Sequence, residues 1–140
     1  MGRILFERDR FWWTLVVIGI ITIASGILQC AAPALLLRVV SPDVSTASEH
    51  FLMITGVFTA AFGALLVHAL VVPEPQHVAM LWVGVQKILT AAAVGLAIQE
   101  MIFSSLALTA AGFDLVAGVM IVSFWFWMKQ QAKERSSTHS

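Results

Sequence analysis

No charged side chain occurs between Arg10 and Arg38, an interval of 27 residues. An α-helix of about 20 residues spans the roughly 30 Å hydrocarbon layer of a bilayer, so this interval can cross a membrane. It is also longer than the apolar region of a secretory signal peptide. The interval therefore predicts a retained membrane-spanning helix.

Three further apolar segments follow, and together they set the fold class. Hydrophobic residues make up 59% of the 140-residue chain and charged residues 11%, with a mean hydropathy of +0.91, far from soluble-domain averages. We predict an all-α polytopic integral membrane protein, a single four-transmembrane-helix bundle over residues 1–128 followed by a polar tail at 129–140. The predicted helices lie near 11–32, 51–72, 78–98 and 105–128.

Turn residues separate the first two predicted helices. Pro33 is expected to kink or end the first helix, because proline removes a backbone donor and clashes with the preceding turn. Thr46, with Glu49 three residues later, has the spacing of a capping box and predicts the N-terminus of the second helix.

The distribution of basic residues predicts the orientation of the bundle. Cytoplasmic loops carry an excess of Lys and Arg. Arg38 stands alone on one side, and both termini are therefore expected in the cytoplasm, in a bacterial inner membrane. The five tryptophans fall toward the same interface as the termini, which is typical of an interfacial aromatic belt; a quinone or pigment pocket is the alternative. The residues concerned are the basic Arg3, Arg8, Arg10, Lys129, Lys133 and Arg135, and the aromatic Trp12, Trp13, Trp82, Trp125 and Trp127.

Small residues recur at helical spacing in every segment. Because helices in lipid associate through close backbone approach, such stripes predict the inside of the bundle. A weak internal repeat relates the second helix to the fourth, pairing Gly63 with Gly118, and suggests duplication of a helical hairpin. The predicted packing positions are Gly19, Gly26, Gly56, Ala60, Gly63, Gly84, Ala110 and Gly118.

Lys87 and Asp114 are the only formally charged residues well inside the predicted spans. Each costs about 2.5 to 3.5 kcal/mol at a helix centre on insertion scales, so each needs an explanation. One interpretation is a buried pair that pins the third helix to the fourth, with Gln86 and Thr90 completing its hydrogen bonds. The other is a coupling site, in which Asp114 exchanges a proton or holds a cation.

Other site chemistry is sparse. His68, in the second helix, could ligate chlorophyll or haem through its imidazole, although a structural, hydrogen-bonded histidine is the alternative. Cys30 is the only cysteine, which excludes an internal disulfide and cysteine-pair redox chemistry. No metal site is predicted, and no basic patch interleaved with aromatics indicates nucleic acid.

These observations favour a non-catalytic protein, since no phosphate loop, zinc-protease motif or nucleophile elbow occurs. The predicted function is an accessory, assembly or stabilising subunit of a larger respiratory, photosynthetic or transport complex. The alternative is a small proton- or cation-coupled carrier or channel, acting as a dimer through Asp114 and Lys87. The expected partners are the lipid bilayer and other membrane subunits or further copies of the chain.

Overall fold

Four long apolar helices and one short helix make up the described part of the protein. The computed structural model describes residues 10–41, 43–72 and 76–138, with side chains to Glu134. Four of the helices are long and apolar enough to cross a membrane, which confirms the predicted all-helical fold with four apolar spans. The helices are α1 (Arg10–Ala31), α2 (Pro33–Val40), α3 (Thr46–Val71), α4 (His77–Gln99) and α5 (Ala107–Thr138). Arg3, Arg8 and the side chain of Arg135 lie outside the described residues.

The helix ends differ from the predicted ones in three places. Pro33 does not only end the first helix: it occupies the first turn of α2, where its missing N–H costs no hydrogen bond. The cap of α3 is Ser45, whose hydroxyl accepts from the Ser48 amide at 3.1 Å, so the predicted box at Thr46 and Glu49 is one residue out of register. At the other end of the chain, α5 continues for ten residues beyond the predicted end at 128, to Thr138.

The long helices form two antiparallel hairpins, α1 with α3 and α4 with α5, which have the most extensive contacts in the fold. Glycines face backbone across both interfaces. A Cβ placed on Gly26 would lie 2.5 Å from the Gly56 carbonyl oxygen, and one on Gly118 would lie 3.0 Å from that of Gly84. Only residues without a side chain allow the backbones to approach this closely.

The two hairpins meet at one end, which we call the tryptophan end because it carries the five tryptophans. The buried core joins the start of α1, the end of α3, the start of α4 and the second half of α5 there. The Trp12 indole also donates to the Leu70 carbonyl at 3.2 Å and links α1 to the last turn of α3. Fully buried members of this core include Leu15, Leu66, Val83, Ala117 and Ile121.

The opposite end, which we call the α2 end, comprises α2 and the connection 100–106. Met101 adopts φ 58° at the turn after α4, and the Ile102 amide donates to the Ala97 carbonyl at 2.9 Å, a helix-terminating motif that usually uses glycine. The Ser104 amide donates to the Val40 carbonyl at 2.7 Å, and its hydroxyl donates to that of Val39 at 3.2 Å. These bonds tie α2 to the second hairpin.

One predicted packing position lies outside the packed interior of the described chain. Ala110 is exposed, whereas Gly19, Gly26, Gly56, Gly63, Gly84 and Gly118 are buried and Ala60 is half-buried. Ala110 lies on the same side of α5 as Ala117 and Ile121, but nearer the α2 end, beyond the reach of the shared core. A sequence stripe does not show where along its length the neighbouring helices stop touching.

We predict that Gly26→Ala destabilises the protein by about 1 to 3 kcal/mol, the usual cost of overpacking. Its new methyl group would overlap the Ala60 amide nitrogen, and backbone cannot move aside cheaply. The measurement is unfolding in mixed detergent micelles, followed by circular dichroism.

Gly95→Ala is the matched control, because a Cβ there meets nothing within 4 Å. This variant should be neutral or more stable by up to about 1 kcal/mol, since alanine favours helix. Equal losses in both variants would contradict the close-contact interpretation of Gly26.

Candidate functional site: the Lys87 and Asp114 pair

The glycine contact between α4 and α5 positions the two intramembrane charges. Lys87 lies three residues after Gly84, and Asp114 lies four residues before Gly118. Because the helices are antiparallel, both side chains emerge about one turn from the glycine contact, on facing surfaces. Lys87 Nζ lies 2.6 Å from Asp114 Oδ1. The expected proximity of Lys87 and Asp114 is therefore observed as a direct ion pair.

The two members of the pair differ in burial. The Lys87 side chain is 3% exposed and that of Asp114 is 22% exposed. Lys87 Nζ also lies 5.2 Å from the centre of the Phe113 ring, a distance at which the ring face attracts a cation. The lysine is thus enclosed by protein, and the aspartate retains an accessible side.

Charge neutralisation is the first consequence of this geometry. A lone ammonium or carboxylate in a low-dielectric environment would lose its hydration without compensation, whereas the paired charges replace part of it. The pair fixes the rotation of α5 relative to α4, because a charge turned away from its partner would be left unneutralised. The arrangement can hold the two helices together. Lys87 donates to Oδ1 of Asp114, and Oδ2 receives no hydrogen bond from Lys87.

Gln86 and Thr90 do not complete the hydrogen bonds of the pair, contrary to expectation. Gln86 Nε2 donates to Thr90 Oγ1 at 2.9 Å, one turn along α4. Gln86 Oε1 is buried and accepts no hydrogen bond within the described part of the chain. The two residues therefore form a separate polar contact beside the pair.

The remaining sequence candidate, His68, has an exposed side chain on α3, next to the exposed Ala61 and Ala64. Among residues 10–41, 43–72 and 76–138, no three His, Cys, Asp or Glu side chains group as a metal site. Cys30 Sγ donates to the Met53 carbonyl at 3.3 Å and serves the contact of α1 with α3.

The contact of one aromatic ring and the hydrogen bond of one inward-facing threonine were not predicted from the sequence. Phe113 adjoins Asp114 in sequence, but only the rotation of α5 shows that its ring covers Lys87. Thr22 is 3% exposed, and its hydroxyl donates to the Ile18 carbonyl at 2.8 Å, so it satisfies its own donor within α1. The sequence signal for this bond is general: a serine or threonine hydroxyl within a helix can donate to the carbonyl four residues earlier.

Comparison with known proteins adds no functional assignment to this geometry: no family model, no curated protein and no solved structure matches the chain.

We predict that Lys87→Met and Asp114→Asn each lower the free energy of unfolding in detergent by roughly 3 to 5 kcal/mol, because each leaves a charge without its partner. The double variant should lose less than the sum of the two single losses. The measurement is a double-mutant cycle on the purified protein. Additive losses would contradict a stabilising contact between the two side chains.

Proposed function

We propose that this protein is a small, non-catalytic membrane subunit that assembles with or stabilises a larger membrane complex. The observation that carries this proposal is the difference between the exposed faces of α4 and α5. The exposed face of α4 bears large apolar side chains, among them Val78, Trp82, Leu89 and Leu96. Such a surface suits contact with lipid tails.

The exposed face of α5 is of another kind. One side of it carries glycine, threonine, serine and two valines at intervals of three or four residues, whereas other sides of α5 expose larger residues such as Leu108, Leu115 and Phe126. We call this surface the α5 face; it consists of Thr109, Gly112, Val116, Val119 and Ser123. Glycine and hydroxyl-bearing residues favour contact between helices, because they allow close approach and interhelical hydrogen bonds.

The space around Gly112 supports a role in assembly. A Cβ on Gly112 would meet nothing within 4 Å, so no helix of this chain requires a glycine there. By contrast, Gly118, on the other side of α5, is enclosed by Gly84 and Ile88. A partner helix packed closely on α5 would explain the glycine at position 112 in the same way that α4 explains Gly118.

The limited burial of the spans gives further support. Between 22% and 39% of the most apolar window of each span is buried within the chain. Most of the span surface is therefore free to contact lipid or other subunits. The connections between the described spans are short, and none of them is long enough to form a domain of its own.

The proposed orientation places the tryptophan end at the cytoplasmic face of a bacterial inner membrane, with both termini inside. Arg10, Lys129 and Lys133 lie at the tryptophan end, and Arg38 lies at the α2 end. This distribution matches the usual excess of basic residues on the cytoplasmic side. The repeated glycine contact, Gly19 with Gly63 and Gly84 with Gly118, supports duplication of an ancestral hairpin as a further hypothesis.

The orientation predicts that a cysteine replacing Glu100 is labelled from outside intact cells by a membrane-impermeant thiol reagent. A cysteine replacing Gln130 should react only after permeabilisation. Both changes are made together with Cys30→Ser, and the measurement is the mass shift of the purified protein. The reverse labelling pattern would contradict the proposed orientation.

A small proton- or cation-coupled carrier that uses Asp114 and Lys87 is the weaker alternative. The accessible side of Asp114 favours it, since a coupling carboxylate must be reached from one side. The contact at 2.6 Å counts against it, because Lys87 already neutralises the carboxylate. The carrier would require this pair to open during each cycle.

We predict that Gly112→Leu abolishes co-purification of the partner subunits while leaving the fold intact. The new side chain fills the space that a partner helix would occupy, but it meets no atom of this chain at its Cβ. The measurement is mild-detergent purification at native expression, followed by mass spectrometry of co-eluting proteins.

Ala92→Leu is the matched control, since Ala92 is exposed on α4, which also exposes large apolar residues such as Leu89 and Leu96. This change should leave the co-eluting proteins unaltered. Retention of the same partners by Gly112→Leu would contradict a role for the α5 face. Purification of the unaltered chain as a lone homodimer would contradict the accessory role and favour the carrier.

A further inference from the structure

A cavity of about 490 Å³, broadly open to the surface, lies at the α2 end, between α2 and the connection from α4 to α5. Its polar lining comes from Arg38, Ser41, Ser104 and Ser105, and the Ser41 hydroxyl already donates to the Asp43 carbonyl at 2.9 Å. Ile98, Met101 and Phe103 contribute apolar lining on the side of the second hairpin. The cavity thus combines a fixed positive charge with an apolar wall, which is the pattern of an amphiphile site.

Two stretches of sequence contain the residues that line the cavity, residues 31–57 and residues 95–110. Arg38 is the only Lys or Arg in them. Its side chain is exposed, and it forms no ion pair with any described residue. A guanidinium offers five donors in a planar arrangement that matches phosphate oxygens well. Within the described chain, the N–H donors of Arg38 therefore have no carboxylate partner and are available to an anionic ligand.

The other polar groups divide into those that build the cavity and one that is free. The Ser104 amide and hydroxyl both donate to carbonyls of α2, and these bonds hold the two walls together. The Ser105 hydroxyl makes no hydrogen bond with the described residues, so it remains available as a second donor toward the cavity. Arg38 and Ser105 therefore face one space from opposite walls.

The position of the cavity along the bundle identifies the class of ligand. The 23 residues of α4 extend about 35 Å, slightly more than the roughly 30 Å hydrocarbon layer. The last turn of α4, with Ile98, consequently lies at the level where acyl chains meet headgroups. Phosphate groups of membrane lipids lie at this level, above an apolar layer that continues along Ile98.

Nearby carboxylates discriminate between two sources of phosphate. Asp43 and Glu100 are exposed on turns at the same end, although neither lines the cavity. Their charges disfavour a free phosphate dianion more than a phosphodiester with a single negative charge. Free phosphate would gain nothing from contact with the apolar wall, whereas acyl chains would pack against it.

We propose that this cavity binds the phosphodiester of a membrane phospholipid through Arg38 and Ser105, with the acyl chains against Ile98, Met101 and Phe103. The site would hold α2 at the membrane surface and is independent of the partner face on α5. It predicts lipid binding in the protein as isolated, whether or not partner subunits are present.

The experiment uses the full chain, delipidated in a neutral detergent, and measures bound ligand by native mass spectrometry. Three probes are titrated separately: dioctanoyl-phosphatidylglycerol, dioctanoylglycerol and inorganic phosphate. Phosphatidylglycerol should bind in a saturable manner. Dioctanoylglycerol, which lacks the phosphate, and inorganic phosphate, which lacks the chains, should bind at least about tenfold more weakly.

Arg38→Gln should weaken phosphatidylglycerol binding by about tenfold or more, because it removes the charge and keeps a polar side chain. Arg38 is exposed and pairs with no described residue, so this variant should retain its helical circular dichroism. Ser105→Ala should weaken binding by a smaller factor, about two- to fivefold. Arg10→Gln removes one positive charge from the tryptophan end and should leave binding unchanged.

Four results would overturn the proposal. Unchanged phosphatidylglycerol binding in Arg38→Gln would remove the arginine from the site, and equal loss in Arg10→Gln would indicate a nonspecific charge effect. Dioctanoylglycerol binding as tightly as the phospholipid would show that the phosphate is not recognised. Saturation of an Arg38-dependent site by inorganic phosphate alone would assign the cavity to a free anion.

Discussion

Close backbone contact at glycines is the interaction on which the rest of this structure depends. In lipid, helix association gains little from burying apolar surface, because the acyl chains are as apolar as the side chains they replace. The contacts of Gly26 with Gly56 and of Gly84 with Gly118 provide dense van der Waals packing instead. Each hairpin is thus built around a point at which two backbones touch.

Register follows from these points of contact. The Gly84 and Gly118 contact fixes how α4 and α5 slide along each other, and it thereby sets Lys87 opposite Asp114. A slip of one residue would turn Asp114 by about 100° around α5 and separate the charges. The glycine contact and the ion pair specify the same register, so each supports the geometry of the other.

The sequence predicted the parts of the fold that depend on local composition. Four apolar spans followed from predominantly apolar intervals of sufficient length, and the proximity of Lys87 to Asp114 followed from folding two helices about a short connection. Polar residues after 128 led to a predicted tail, although Lys, Gln, Ala and Glu are good helix formers and α5 continues through them. A change from apolar to polar residues marks the end of a membrane span and does not mark the end of a helix.

The remaining errors concern relations between helices. Ala110 has the spacing of a packing residue but lies beyond the shared core, and Gln86 is adjacent to Lys87 in sequence but bonds to Thr90. Phe113 covers Lys87 only because α5 has one particular rotation. Periodicity shows which residues share a face, whereas these contacts depend on the distance and rotation of the neighbouring helix.

One helix carries both the buried charge and the proposed partner face, and this links stability to assembly. Gly112 and Asp114 are two residues apart, so they lie on nearly opposite sides of α5, roughly 160° apart around its axis. While Asp114 is held at Lys87, Gly112 and Ser123 must face away from the bundle. Without that restraint, α5 could rotate and bring Leu115 or Phe126 into the surface that a partner would meet. The buried pair would then contribute to assembly without touching the partner, by fixing which side of α5 is presented.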